Sequence, residues 1–129
     1  MDDPRTETGR AGEEAALAVY LSRGYRTVAR NWRCRIGELD LVVARGDTLV
    51  FCEVKARRGA TFGGGFDAVT HRKRAKLRAV AQAFLIATGT MPDSIRFDVA
   101  SVRVAEGRRR PLRHTLDGVS TVELFEDAF

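Results

Sequence analysis

Two apolar runs, residues 38–44 (ELDLVVA) and 48–57 (TLVFCEVKAR), stand three residues apart, and no other feature of the chain limits its fold as strongly. Their Val, Leu and Phe content marks both as strands. The connection Arg45-Gly46-Asp47 is short and contains glycine, so the two form an antiparallel hairpin.

Around this hairpin the remaining elements fall into order. Residues 1–8 carry no apolar pattern and read as a mobile arm. A first helix spans residues 9–23, with Ala16, Leu17, Tyr20 and Leu21 at helical spacing and Gly24 as its stop. Residues 25–34 form a strand ahead of the hairpin. The glycine-rich stretch 59–66 breaks the pattern, and a second helix spans 70–87 with Leu77, Val80, Ala81, Phe84 and Leu85 on one face. In 94–104, Ile95, Phe97 and Val99 alternate against Arg96 and Asp98, giving a further strand. Residues 112–116 read as an edge strand and 119–129 as a short closing segment. The order helix, three strands, helix, strand predicts an α/β domain, residues 9–129, built on a central mixed sheet. A chain of 129 residues builds one core and leaves no room for a separate cofactor domain.

The 22 Lys and Arg against 17 Asp and Glu give a net charge of +5, which favours a polyanionic partner. Two cysteines make no disulfide framework, and two histidines make a closed zinc site improbable. No apolar run reaches the ~20 residues of a membrane span, and the polar first residues lack a signal-peptide pattern, so the expectation is a cytoplasmic protein without membrane contact.

The chemistry concentrates on the hairpin. Residues two apart on a strand share a face, so Glu53 and Lys55 point the same way, and pairing of the strands brings Asp40 to Glu53 on one surface. Two carboxylates at short range call for a cation between them. An oxygen-only site completed by water suits Mg²⁺ or Mn²⁺. Lys55 is placed to orient a water and offset charge on a phosphoryl group. It is one of three lysines in a chain with 19 arginines, a setting in which an ammonium and a guanidinium are not interchangeable. Glu13 lies on the apolar stripe of the first helix, an expensive place for a carboxylate, although periodicity alone leaves Glu14 as an alternative. In the second helix, Arg72, Lys73, Arg74, Lys76 and Arg78 occur with no acid among them. They form either a solvated face or, together with Arg57, a phosphate-contacting surface. Trp32, flanked by Arg30, Arg33 and Arg35, reads as a packing residue; Cys52 as a buried apolar one; Arg96 and Asp98 as a structural pair.

Gly37-Glu38-Leu39-Asp40 followed by Glu53-Val54-Lys55 resembles the PD-(D/E)XK nuclease superfamily, and more narrowly the YraN-like family. The narrower resemblance extends to Gly9 and Glu13, Gly24-Tyr25, Asn31, Arg57, Phe62-Gly63, Lys73, Leu77, Arg96-Phe97-Asp98-Val99 and Ala128-Phe129. The spacing of Glu13, Asp40, Glu53 and Lys55 is also similar to that of archaeal Holliday-junction resolvases. The resemblance implies a restriction-endonuclease-like fold with Asp40, Glu53 and the Val54 carbonyl as metal ligands. It further implies that Lys55 positions a water and that Glu13 assists through a second metal or a metal-bound water. The superfamily's eponymous proline is replaced by Leu39. The function implied is a Mg²⁺- or Mn²⁺-dependent endonuclease acting on structured or branched nucleic acid, DNA above all, with a homodimer expected by analogy. The competing expectations are a non-catalytic nucleic-acid-binding module of the same fold and a protein-interaction scaffold.

Overall fold

The computed structural model describes residues 6–58, 71–104 and 119–129. Helix α1 (Glu7–Ser22) is followed by strands β1 (Arg26–Arg33), β2 (Glu38–Arg45) and β3 (Thr48–Arg58), helix α2 (His71–Thr88), and strands β4 (Ser94–Val104) and β5 (Val119–Phe125). The strands make one mixed sheet in the order β1-β2-β3-β4-β5. All neighbours are antiparallel except β3 and β4, which run parallel, as a connection through α2 permits. A mixed sheet between helices is the architecture the sequence predicts.

Two differences from the sequence reading exceed a single residue at an element's end. Helix α1 begins at Glu7, because the Thr6 side chain accepts a hydrogen bond from the Gly9 amide at 2.9 Å and caps the first turn. The segment 119–129, read only as a closing piece, contributes strand β5, whose Val122 and Leu124 pack on the core. The glycine-rich stretch 59–66, the expected strand at 112–116 and residues 1–5 of the expected arm lie outside the described residues.

The sheet is covered on both faces. Ala16, Leu17 and Tyr20 of α1 pack over Leu41, Val43, Val50, Cys52, Val54 and Ala56. Val80, Ala81 and Phe84 of α2 pack over Val42, Ala44, Leu49 and Phe51. Strand β3 therefore alternates cleanly between the two helices, and Glu53 and Lys55 continue the α2-facing row that begins with Leu49 and Phe51. Contact between α1 and β3 is close: a Cβ on Gly12 would lie 2.6 Å from the Ala56 Cβ, so only glycine fits there. Arg58 at the end of β3 donates to Thr8 Oγ1 through Nε at 2.9 Å and Nη2 at 2.6 Å, fastening the start of α1 to the same strand.

The α1 face also holds a buried polar network. Asp98 is fully buried. Its Oδ2 accepts from Tyr20 Oη at 2.6 Å and Arg96 Nη2 at 2.9 Å, while its Oδ1 accepts from Arg96 Nε at 2.9 Å and the Asp127 amide at 3.0 Å. Arg96 Nη2 donates further to Tyr25 Oη at 3.0 Å. The predicted pairing of Arg96 with Asp98 is thus part of a larger, satisfied cluster that ties β4 to α1 and to the segment after β5.

Candidate metal and phosphate site

Strands β2 and β3 run as a ladder from Arg45 and Thr48 to Leu41 and Cys52, where the pairing stops. The next residues in register are Asp40 and Glu53. In place of another rung, the Val54 amide donates to Asp40 Oδ2 at 2.8 Å. A residue's N–H and C=O leave a strand on the same edge, so the Val54 carbonyl also points toward Asp40. The sheet forks here, and Asp40 and Glu53 both line the recess that opens between the strands.

The neighbouring strand is irregular at the same level. Asn31 of β1 has a φ of 50°, an uncommon backbone state for a non-glycine residue. It stands opposite Asp40, between the pairs Arg30–Leu41 and Trp32–Leu39. Across this kink β2 changes its alternation: Leu39 belongs to the α2 cluster, whereas Leu41 and Val43 belong to the α1 cluster. The simple rule that residues two apart share a face therefore fails across Asp40.

Asp40 and Glu53 line a narrow recess with Leu39, Phe51, Cys52, Leu77, Phe97 and Phe129, of about 10 Å³, the room of a single water. Burial and then the charge of Glu53 hold the Asp40 carboxyl well above the usual carboxylate range. Glu13 and Glu38 push it in the same direction, whereas the Val54 amide pulls it down.

Glu13 reaches the fork from α1 and is only 3% exposed. Asn31 Nδ2 donates to both of its oxygens, at 3.1 and 2.9 Å. Burial raises the Glu13 carboxyl above its ordinary value, partly offset by Asn31 and Arg30. Glu14 is exposed and meets Arg30 Nη2 at 3.1 Å, so the helical acid at the fork is Glu13. Glu38 carries a buried Oε2 with no hydrogen-bond partner among the described residues, 3.7 Å from Arg33 Nε.

Lys55 Nζ lies 3.5 Å from Glu53 Oε2, and Lys73 Nζ of α2 lies 3.5 Å from the same oxygen. Burial, reinforced by the nearby Lys55, holds the Lys73 ammonium below the ordinary lysine range despite the pull of Glu53. Sequence reasoning placed Lys73 among the outward cations of the helix, and the structure turns it to Glu53. Its neighbours on α2 go elsewhere. Arg72 and Lys76 are exposed. The guanidinium of Arg74 lies 5.9 Å from the Phe129 ring centre, and that of Arg78 lies 5.0 Å from Phe97 and 5.8 Å from Phe129. Arg57 is half-buried, and its Nε has no hydrogen-bond partner among the described residues. Helix α2 is held close by Gly37, where an added Cβ would meet Val80 at 3.1 Å and the Lys76 stem at 3.3 Å.

The residues read as structural hold that place. Trp32 packs edge-on against Phe84, with ring centres 5.2 Å apart, and Cys52 is buried. Asn31 is the functional-site residue that periodicity could not find, because its role depends on a kink in β1. Among the described residues no helix is long and apolar enough to cross a membrane.

Among known proteins, the chain is 52% identical over 94 residues to a UPF0102 protein of Parafrankia sp., covering 73% of this chain and 80% of that one. It is 43% identical over 130 residues to a UPF0102 protein of Pelotomaculum thermopropionicum, and 39% identical over 129 residues to one of Moorella thermoacetica. Both of these alignments cover 100% of each chain. Residues 12–102, a span that contains Glu13, Asn31, Asp40, Glu53, Lys55 and Lys73, match the model described as uncharacterised protein family UPF0102, and the chain belongs to that family, the YraN family.

Proposed function

We propose that this chain is a metal-dependent nuclease that binds structured or branched nucleic acid, DNA above all, and hydrolyses phosphodiester bonds. One observation carries the reading: at the fork in the sheet, Asp40 and Glu53 close on a recess with room for one small occupant, and Lys55 pairs with Glu53 beside it.

The donor set discriminates between ions. Among the described residues no three His, Cys, Asp or Glu side chains converge as metal ligands, so a closed protein cage of the zinc type does not fit. Two carboxylates and a carbonyl do fit Mg²⁺ or Mn²⁺, oxygen-seeking ions that one or two carboxylates suffice to hold. Asp40, oriented by the Val54 amide, and Glu53 would hold the ion. When bound, the metal supplies Lewis-acid activation of water and charge shielding at phosphorus.

The protein's own groups do the remainder. Lys55, 8% exposed and fixed by Glu53, presents an ammonium to the attacked phosphate and stabilises the negative charge that develops there. Glu13, held by Asn31 through both oxygens, keeps an acceptor at the α1 side of the fork for a water proton. Arg57 and the exposed Arg72, Lys76 and Arg78 supply backbone contacts whose strength falls with salt.

The test is cleavage of linear and branched DNA in Mg²⁺ or Mn²⁺. Asp40→Asn and Lys55→Ala abolish cleavage and leave salt-sensitive binding largely intact. Wild-type cleavage rates in either variant refute the assignment. A second reading, a non-catalytic binding module, is supported by the exposed cations Arg72, Lys76 and Arg78 of α2, which can contact phosphates without a metal. It requires no hydrolysis in any divalent ion and DNA affinity indifferent to Asp40→Asn.

A further inference from the structure

Glu53 Oε2 meets two ammoniums at the same distance, and the two differ in one respect. Lys55 is 8% exposed and locked in the sheet, whereas Lys73 is 37% exposed and rises from the first turn of α2 to the solvent boundary. Both lie within 3.5 Å of one oxygen, so they are within reach of each other's repulsion. A divalent ion arriving between Asp40 and Glu53 adds two further positive charges at this point. Repulsion then falls on both lysines, and only Lys73 has a path outward. Its flexible four-carbon stem carries the charge toward the surface where a phosphate would approach.

We propose that Lys73 is a resident counter-ion on Glu53, displaced by the divalent cation and then taken up by a phosphate of the nucleic-acid backbone. One side chain thereby makes metal binding and DNA binding mutually reinforcing. The inference rests on the nuclease reading, and it adds a positioning residue that acts through Glu53 and a reciprocal coupling between two ligands.

The experiment uses the full chain. Mn²⁺ is titrated calorimetrically into wild type, Lys73→Met and Asp40→Asn. A short fluorescein-labelled DNA duplex with phosphorothioate linkages, which slow cleavage, is titrated with and without Mn²⁺. Methionine suits a partly exposed helical position, so Lys73→Met is compatible with folding, which circular dichroism verifies. Lys73→Met binds Mn²⁺ about threefold more tightly, the order expected when a partly exposed competing ion pair is removed. Mn²⁺ strengthens DNA binding by wild type, and that gain is reduced in Lys73→Met, where only the ion's own shielding of the phosphates remains. Arg72→Met, an exposed cation on the same helix, weakens DNA binding equally with and without the ion.

Unchanged or weaker Mn²⁺ affinity in Lys73→Met, or a full Mn²⁺-dependent gain in its DNA affinity, overturns the counter-ion role while leaving the metal site standing. If wild type takes up no Mn²⁺, or Asp40→Asn binds it as tightly as wild type, the metal site itself is wrong and the counter-ion role falls with it.

Discussion

The Val54 amide donates to Asp40 Oδ2 across 2.8 Å, so one carboxylate of the site is fixed by the backbone of the strand that carries the other. This bond holds Asp40 in a position where burial and the Glu53 charge both disfavour its ionised form.

Asp40→Asn is therefore expected to stabilise the metal-free protein. The amide oxygen still accepts from Val54, and the buried charge is removed. A carboxyl whose proton affinity is higher in the folded state contributes stability below its unfolded pKa of about 3.9, and that contribution fades as pH rises through the folded value. The advantage of Asp40→Asn should accordingly be small in acid and grow toward neutral pH. For a domain of this size each kcal/mol raises the melting temperature by about 4 °C. Thermal melts across the pH range give the result; a variant less stable than wild type at neutral pH contradicts the account.

Metal uptake should release protons. Asp40 holds its proton above the usual carboxylate range, so the ion has to displace it. Mg²⁺ or Mn²⁺ affinity is then expected to rise with pH until Asp40 is fully ionised in the free protein, and to level off beyond that. Calorimetry in two buffers of different ionisation enthalpy counts the protons. Affinity that is flat through the acid range, with no proton release, would contradict the raised proton affinity.

Asn31 gives a third expectation. Asn31→Ala removes both hydrogen bonds to buried Glu13 and places alanine at a φ of 50°. A cost of about 1–3 kcal/mol follows from the unsatisfied carboxylate alone. Asn31→Gly loses the same bonds but adopts the backbone without strain, so it should be the milder change, by about 1 kcal/mol. Urea unfolding of the two variants ranks them, and equal losses would show that the backbone conformation costs nothing.

Asp98 belongs to the fold and not to the fork, although acid, arginine and tyrosine meet there. Asp98→Ala removes the buried carboxylate shared by Tyr20, Arg96 and the Asp127 amide, and should cost about 3–5 kcal/mol. Tyr20→Phe should cost about 1–3 kcal/mol, by leaving one carboxylate oxygen short of a donor. In Tyr20→Phe at a temperature where it is folded, Mn²⁺ affinity should match wild type. A tenfold change there would tie the cluster to the site.

The hairpin was legible because β2 and β3 carry their own signals: β-branched and aromatic runs, with a glycine turn between them. From its register alone, Asp40 lands opposite Glu53. Strand β4 matches its predicted bounds of residues 94–104 for the same reason. Three features were not legible. The start of α1 depends on a threonine cap in a stretch without apolar residues. Strand β5 carries the period-two signal, with Val122 and Leu124 inward, but its pairing with β4 spans a long separation in sequence. Lys73 shares a run of five cations, and no local pattern distinguishes the one that turns inward, because its partner lies on another element.

Where α1 meets β3, clearance is measured in single hydrogen atoms. A methyl group at position 12 would sit 2.6 Å from Ala56 and lift the helix off the strand. Glu13 is the very next residue, so that lift would lever its carboxylate out of the grip of Asn31. The smallest side chain in the chain thus sets how deeply the helical acid is seated, and position 12 governs the geometry of a charge it never touches.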